Sequence, residues 1–156
     1  MTDKATADAK PAKDVQIDPR GYRFGAAVTL LVSVIALVLG PSTAGVITMV
    51  VLALLFLPGA TVGPQATLQA FLFKRLIRPR IGAPKETESF RPPRFAQQMG
   101  LGFSILAVVF GVVGAPVLFY VFTGFVVIAS FLNSVFGFCL GCEIYLLFKR
   151  VTTRSA

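Results

Sequence analysis

Apolar positions in this chain come in long runs rather than in narrow stripes. From about Tyr22 to Leu39 no charge occurs beyond Arg23. At 1.5 Å rise per residue, about 18 residues reach roughly 27 Å, enough to cross a bilayer core. Gly40-Pro41-Ser42 ends this run, and a second extends from about Thr43 to Leu57. The link is short and uncharged, so the two spans form an antiparallel hairpin, with Pro58-Gly59 closing or kinking the second. The pattern changes over residues 62–98. Pro64 suits the first position of a helix, Leu68, Phe71, Leu72 and Leu76 recur at helical spacing, and Lys74, Arg75 and Arg78 gather toward the far end. This predicts a short amphipathic interfacial helix, stopped by Arg78-Pro79-Arg80, and then a polar, proline-rich loop to Arg94. From Met99 to Phe148 the only charge is Glu143. That run is too long for one crossing and makes two spans, broken near Gly114-Ala115-Pro116. The fourth span is then longer than one crossing needs and must tilt, kink or run past the interface, with Asn133 and Gly137 as kink positions.

The expected fold class is all-α: an integral membrane bundle of four transmembrane helices in two hairpins, with the interfacial helix between spans two and three. Residues 1–17 lack apolar periodicity and are expected to form a disordered cytoplasmic tail. Residues 18–150 form the transmembrane domain, and 151–156 a short cytoplasmic tail. No cleavable leader is expected, because residues 1–23 contain no apolar core.

Composition supports this picture. Hydrophobic residues are 55% and charged residues 14% of the 156, outside the usual soluble range. The net charge of +8 would suggest nucleic acid in a soluble protein. Here all 15 basic residues lie before span one, between spans two and three, or after span four, and the two hairpin turns carry none. Topology explains that distribution, so nucleic-acid binding is set aside. An even span count with both termini cytoplasmic in the plasma membrane is expected. Lys74, Arg75, Arg78, Arg80, Arg91 and Arg94 are the candidates for contact with anionic lipid headgroups. The chain has no histidine, which excludes histidine metal sites and Ser-His-Asp chemistry within it.

Both cysteines, Cys139 and Cys142, lie in the last apolar run, followed by Glu143. If span four is one helix, Cys142 lies roughly 10 Å and Cys139 roughly 15 Å along it from Lys149, in the cytoplasmic half of the membrane. On a continuous helix Cys139, Cys142 and Glu143 share a face, while Ser130, Ser134, Gly137 and Gly141 form a small-residue packing seam nearly opposite. Cytoplasmic thiols are kept reduced, which argues against a permanent structural disulfide. Three uses of the pair stand side by side: apolar packing, a redox dithiol, and half of a soft-metal site that needs a second chain or Glu143 to complete it. A mid-helix position counts against the redox reading, because reactive C-x-x-C pairs start a helix. Glu143 either moves protons for the thiols or pairs with Arg150 or a headgroup. Asn133 is expected to make an interhelical hydrogen bond, and Arg91-Pro92-Pro93-Arg94 to be a stiff loop pinned to lipid.

The segments Ile17-Asp18-Pro19-Arg20-Gly21, Arg78-Pro79-Arg80, Arg91-Pro92-Pro93-Arg94-Phe95-Ala96-Gln97, Phe131-Leu132-Asn133 and Phe136-Gly137-Phe138-Cys139-Leu140-Gly141-Cys142-Glu143-Ile144-Tyr145 resemble a bacterial membrane family, common in actinobacteria, catalogued as domain of unknown function 4395. The resemblance implies a small integral membrane protein without an assigned reaction. It also implies an association with sulfurtransferase-like or thioredoxin-like proteins. Two functions are therefore carried forward. One is thiol redox or sulfur handling through Cys139 and Cys142, with Glu143 tuning protonation. The other is a non-enzymatic scaffold, accessory subunit or small-solute channel in which the cysteines only pack. No cofactor or bound metal is expected, and a homo-oligomer or larger membrane complex is left open.

Overall fold

The computed structural model describes residues 15–154. Four helices are long and apolar enough to cross a membrane: α1 (Pro19–Leu39), α2 (Thr43–Thr61), α5 (Arg91–Val112) and α6 (Pro116–Phe136). Each start has a local cause. Asp18 caps α1, its carboxylate accepting from the Arg20 N–H at 3.0 Å, with Pro19 in the first turn. Ser42 caps α2 by accepting from Gly45 N–H at 3.2 Å. Prolines 92 and 93 open α5 and Pro116 opens α6.

The helices pack in the cyclic order α1, α2, α5, α6, so the two hairpins lie side by side and close on each other. Their shared core holds Ala36, Met49, Leu52, Phe56, Ala107, Phe119 and Val126. Small side chains occupy much of the interior: Ala36, Ser33, Ser104 and Ala107 are fully buried. That is the economy of a membrane bundle, where close backbone approach replaces the hydrophobic drive. Ser33 and Ser104 satisfy their hydroxyls on their own helices, donating to Leu30 and Gly100 carbonyls. Large aliphatic residues face outward, Leu31 at 64% and Val38 at 81% exposure, as lipid contact requires.

The connection between α2 and α5 differs in detail from the expectation. A 3₁₀ turn (Pro64–Ala66) leads into α3 (Leu68–Leu72), a π-helical turn (Phe73–Ile77) and α4 (Arg78–Ile81). Arg78-Pro79-Arg80 therefore does not stop the helix. The backbone widens just before Pro79, which has no N–H to give, and ends at Gly82, where φ is 75°. Phe73, 4% exposed, anchors this segment against Phe24, ring centroids 6.0 Å apart. The proline-rich loop is also shorter than expected, because α5 already begins at Arg91.

The expected N-terminal tail lies outside the described residues for positions 1–14. Its last residues are ordered: β1 (Gln16–Ile17) pairs antiparallel with β2 (Glu88–Ser89), and Ile17 is buried. Asp18 and Arg20 form an ion pair at 3.2 Å, and Arg20 also donates to the Gly82 carbonyl at 3.1 Å. The stretch before α1 is thereby tied to the end of α4. Burial pushes the Asp18 carboxyl upward, but hydrogen bonds from Arg20 and the charges of Arg20 and Arg78 outweigh it and hold the group below its ordinary value.

The largest correction concerns span four. It ends at Phe136, and a separate helix, α7 (Leu140–Arg154), follows. Gly137 makes the break, with φ 67° in the left-handed region that side chains disfavour. Its N–H bonds the Asn133 carbonyl at 3.1 Å, and Phe138 N–H reaches back to Leu132. The C-x-x-C pair is therefore not buried within a long last span.

Candidate functional site

The pair opens α7. Cys139 stands immediately before the helix. Its carbonyl accepts from Glu143 N–H at 3.0 Å, and its sulfur accepts from Cys142 N–H at 3.2 Å, so a thioether-like sulfur takes the capping role usually played by a serine or aspartate oxygen. The two sulfurs are joined as a disulfide, with Cα atoms 5.1 Å apart, inside the range a disulfide accommodates. The sequence-based objection to redox chemistry falls with this placement, because a pair at a helix N-terminus has its sulfurs beside unsatisfied N–H groups.

Two residues of α1 complete the surroundings. The Tyr22 hydroxyl donates to Cys139 Sγ at 3.0 Å. Arg23 donates to the carbonyls of Ser134 and Val135, at 3.4 and 3.3 Å. These are among the orphan acceptors at the end of α6, where a cation also favours the helix dipole. Sequence reasoning assigned neither residue to the site, because both contacts span more than 100 residues of chain.

Helix α7 is seated by α5. Gly141 lies so close to Ala96 that a Cβ on it would stand 2.7 Å from the Ala96 Cβ. One turn on, Tyr145 and Phe95 pack with ring centroids 5.7 Å apart. The small-residue seam is therefore redistributed. Ser130 is buried in α6 and donates to Val126. Ser134 donates to Phe131, Gly137 is the break, and Gly141 belongs to another helix. The expected single face of Cys139, Cys142 and Glu143 is likewise replaced by a first turn, with Glu143 exposed at its outer side.

Two spaces adjoin the disulfide. One is a cleft of about 330 Å³ lined by Arg23, Glu88, Cys139, Cys142 and Glu143 among others. The other is a largely apolar cavity of about 300 Å³ between α1, α5, α6 and α7, reached by Cys139 but not Cys142. Tyr22 and Asn133 border both. A third, polar cavity of about 170 Å³ lies under the interfacial segment. There the buried side-chain oxygens of Gln65 and Gln69 have no partner among the described residues.

The basic residues divide. Lys74, Arg75, Arg78, Arg80 and Arg91 are exposed, and Arg75 lies over the Phe71 ring at 5.2 Å. Arg94 is half-buried and donates to the Ala60 carbonyl at 3.3 Å, joined there by Gln98 at 3.1 Å. The pair closes the end of α2 beyond Pro58, so Arg94 acts within the bundle.

In comparisons with known proteins, no curated protein and no solved structure matches the chain. A family model described as "Domain of unknown function (DUF4395)" matches residues 17–150, a range that runs from the buried strand residue Ile17 to the last turns of α7. The chain belongs to that family.

Proposed function

We propose that this protein is a membrane thiol–disulfide redox protein, taking electrons at Cys139–Cys142 from a soluble thiol protein of thioredoxin-like or sulfurtransferase-like type. The observation that carries this reading is a disulfide at the first turn of a helix, bordering an open cleft and hydrogen-bonded by a tyrosine. A pair used only for packing needs none of these features.

The chemistry follows from the contacts of the two sulfurs, since Cys139 Sγ alone accepts both the Cys142 N–H and the close Tyr22 hydroxyl and is the better leaving group. A substrate thiolate entering the cleft attacks Cys142 Sγ, forming a mixed disulfide and breaking the Cys139–Cys142 bond. Cys139 leaves as a thiolate, stabilised by the Cys142 N–H and the Tyr22 hydroxyl; a stabilised leaving thiolate speeds exchange. A second substrate thiol then attacks its own sulfur in the mixed disulfide and releases Cys142. Glu143, exposed on the cleft side, is placed to take up or return the protons. The charge distribution supports a cytoplasmic cleft and cytoplasmic termini, with the exposed basic residues of the interfacial segment against anionic headgroups. The apolar positions of α7, including Leu147, Phe148 and Val151, are exposed and suit a helix lying in the interface.

The test is alkylation in native membranes with a soluble maleimide, before and after mild reduction. Both cysteines should be protected before reduction, labelled after it, and protected again on adding oxidant. If neither cysteine ever labels, the redox reading is lost. A C-terminal reporter located outside the cell would overturn the orientation.

A further inference from the structure

A disulfide reduced from the cleft must pass its electrons on, and the other space beside it has the character of a lipid-facing site. We infer that the apolar cavity binds the head group of a lipid-soluble quinone, which reoxidises the Cys139–Cys142 dithiol; this rests on the redox reading above. The cavity, about 300 Å³, is at the lower end of the range for small-ligand pockets. Met99, Phe103, Phe125 and Ile128 line its wall, and Phe125 and Ile128 are 48% and 56% exposed on the lipid-facing surface. A membrane-dissolved molecule therefore reaches it without entering water.

The inner end is polar where a quinone needs it to be. Asn133 is 6% exposed and borders the cavity. Its side-chain amide is of the donor type that a quinone carbonyl accepts from. Tyr22, whose hydroxyl is bonded to Cys139 Sγ, also borders the cavity. Cys139 lines both this space and the cleft, and Cys142 lines the cleft alone, so the pair bridges the two. The step balances as a two-electron, two-proton transfer: the S–H bonds of Cys139 and Cys142 break, the S–S bond forms, and both hydrogens end on the quinone oxygens as quinol. Over a full cycle a substrate dithiol is oxidised and a quinone reduced.

The test uses the full chain in nanodiscs, reduced, freed of excess reductant and kept anaerobic. Decylubiquinone, whose ring has no free position for thiol addition, is then added. Quinol formation is followed by ultraviolet absorbance and disulfide re-formation by maleimide gel shift. Wild type should yield one quinol per protein in a single turnover, and Cys142→Ser none. Filling the cavity with Ala129→Phe, or with Ala129→Leu if the ring prevents folding, should raise the half-saturating quinone concentration at least tenfold in protein with unchanged helical circular dichroism. If wild type is reoxidised by a soluble disulfide but not by the quinone, the quinone site is refuted while the redox reading stands. If both cysteines stay unreactive to either, both readings fail. Equal quinone dependence in wild type and the filled cavity would also overturn the placement.

Discussion

Replacing Gly141 with alanine tests how α7, and with it the disulfide, is held against the bundle. An added Cβ would stand 2.7 Å from the Ala96 Cβ and 2.8 Å from the Ala96 Cα. Carbon atoms pack at about 3.5–4.0 Å, so the helices must separate by about 1 Å. Ala96 has no rotamer to turn away, and its Cα is backbone. Overpacking of this kind costs about 1–3 kcal/mol. Alanine returns at most about 1 kcal/mol of helix propensity, and less in a first turn than in a helix interior. The expected net loss is about 1 kcal/mol, or about 2–4 °C in Tm for a chain of this size. The control is Gly102→Ala in the middle of α5, where nothing lies within 4 Å of the added carbon; it should be neutral or stabilising by up to about 1 kcal/mol. The pair should therefore move in opposite directions in thermal unfolding followed in detergent. Ala96→Gly should recover stability in the Gly141→Ala background, with a coupling of about 0.5–3 kcal/mol. If Gly141→Ala is as stable as Gly102→Ala, or the double variant shows no coupling, the reasoning about this contact is wrong.

Tyr22→Phe removes the hydroxyl that donates to Cys139 Sγ. It should slow reduction of the disulfide by dithiothreitol about tenfold or more at neutral pH while leaving the fold intact, since one hydrogen bond to a charged group contributes about 1.5–3 kcal/mol. Arg23→Gln should loosen the end of α6, costing about 0.3–1 kcal/mol of helix-terminus stabilisation and increasing hydrogen exchange at Gly137 and Phe138. Asp18 is held below its ordinary value in the folded protein, so its contribution is fully present above about pH 4 and is lost as pH falls through the depressed folded value. Asp18→Asn should flatten that acid limb in a Tm-against-pH series, whereas Asp18→Ala should also cost about 0.5–2 kcal/mol at neutral pH through loss of the cap.

The four spans, their pairing in hairpins and the interfacial segment were legible in the chain itself. A bilayer sets length and apolarity for each crossing almost independently of the neighbours, and prolines at 41, 58, 92, 93 and 116 mark or kink the ends. The family segments were legible too, but their roles were not. Arg20 on Gly82, Arg94 on Ala60 and Arg23 on the end of α6 are long-range contacts to backbone carbonyls, which carry no trace in sequence spacing. The site turned on one residue. A glycine in an apolar run is compatible with a continuing helix, a kink or a stop. Gly137 stops α6 because its carbonyl-rich end meets Arg23, while the next turn is drawn onto Ala96 and Phe95. Local propensity determined that Cys139 and Cys142 sit in helical surroundings. Packing between distant helices decided that they begin a helix, face both a cleft and an apolar cavity, and receive a tyrosine hydroxyl.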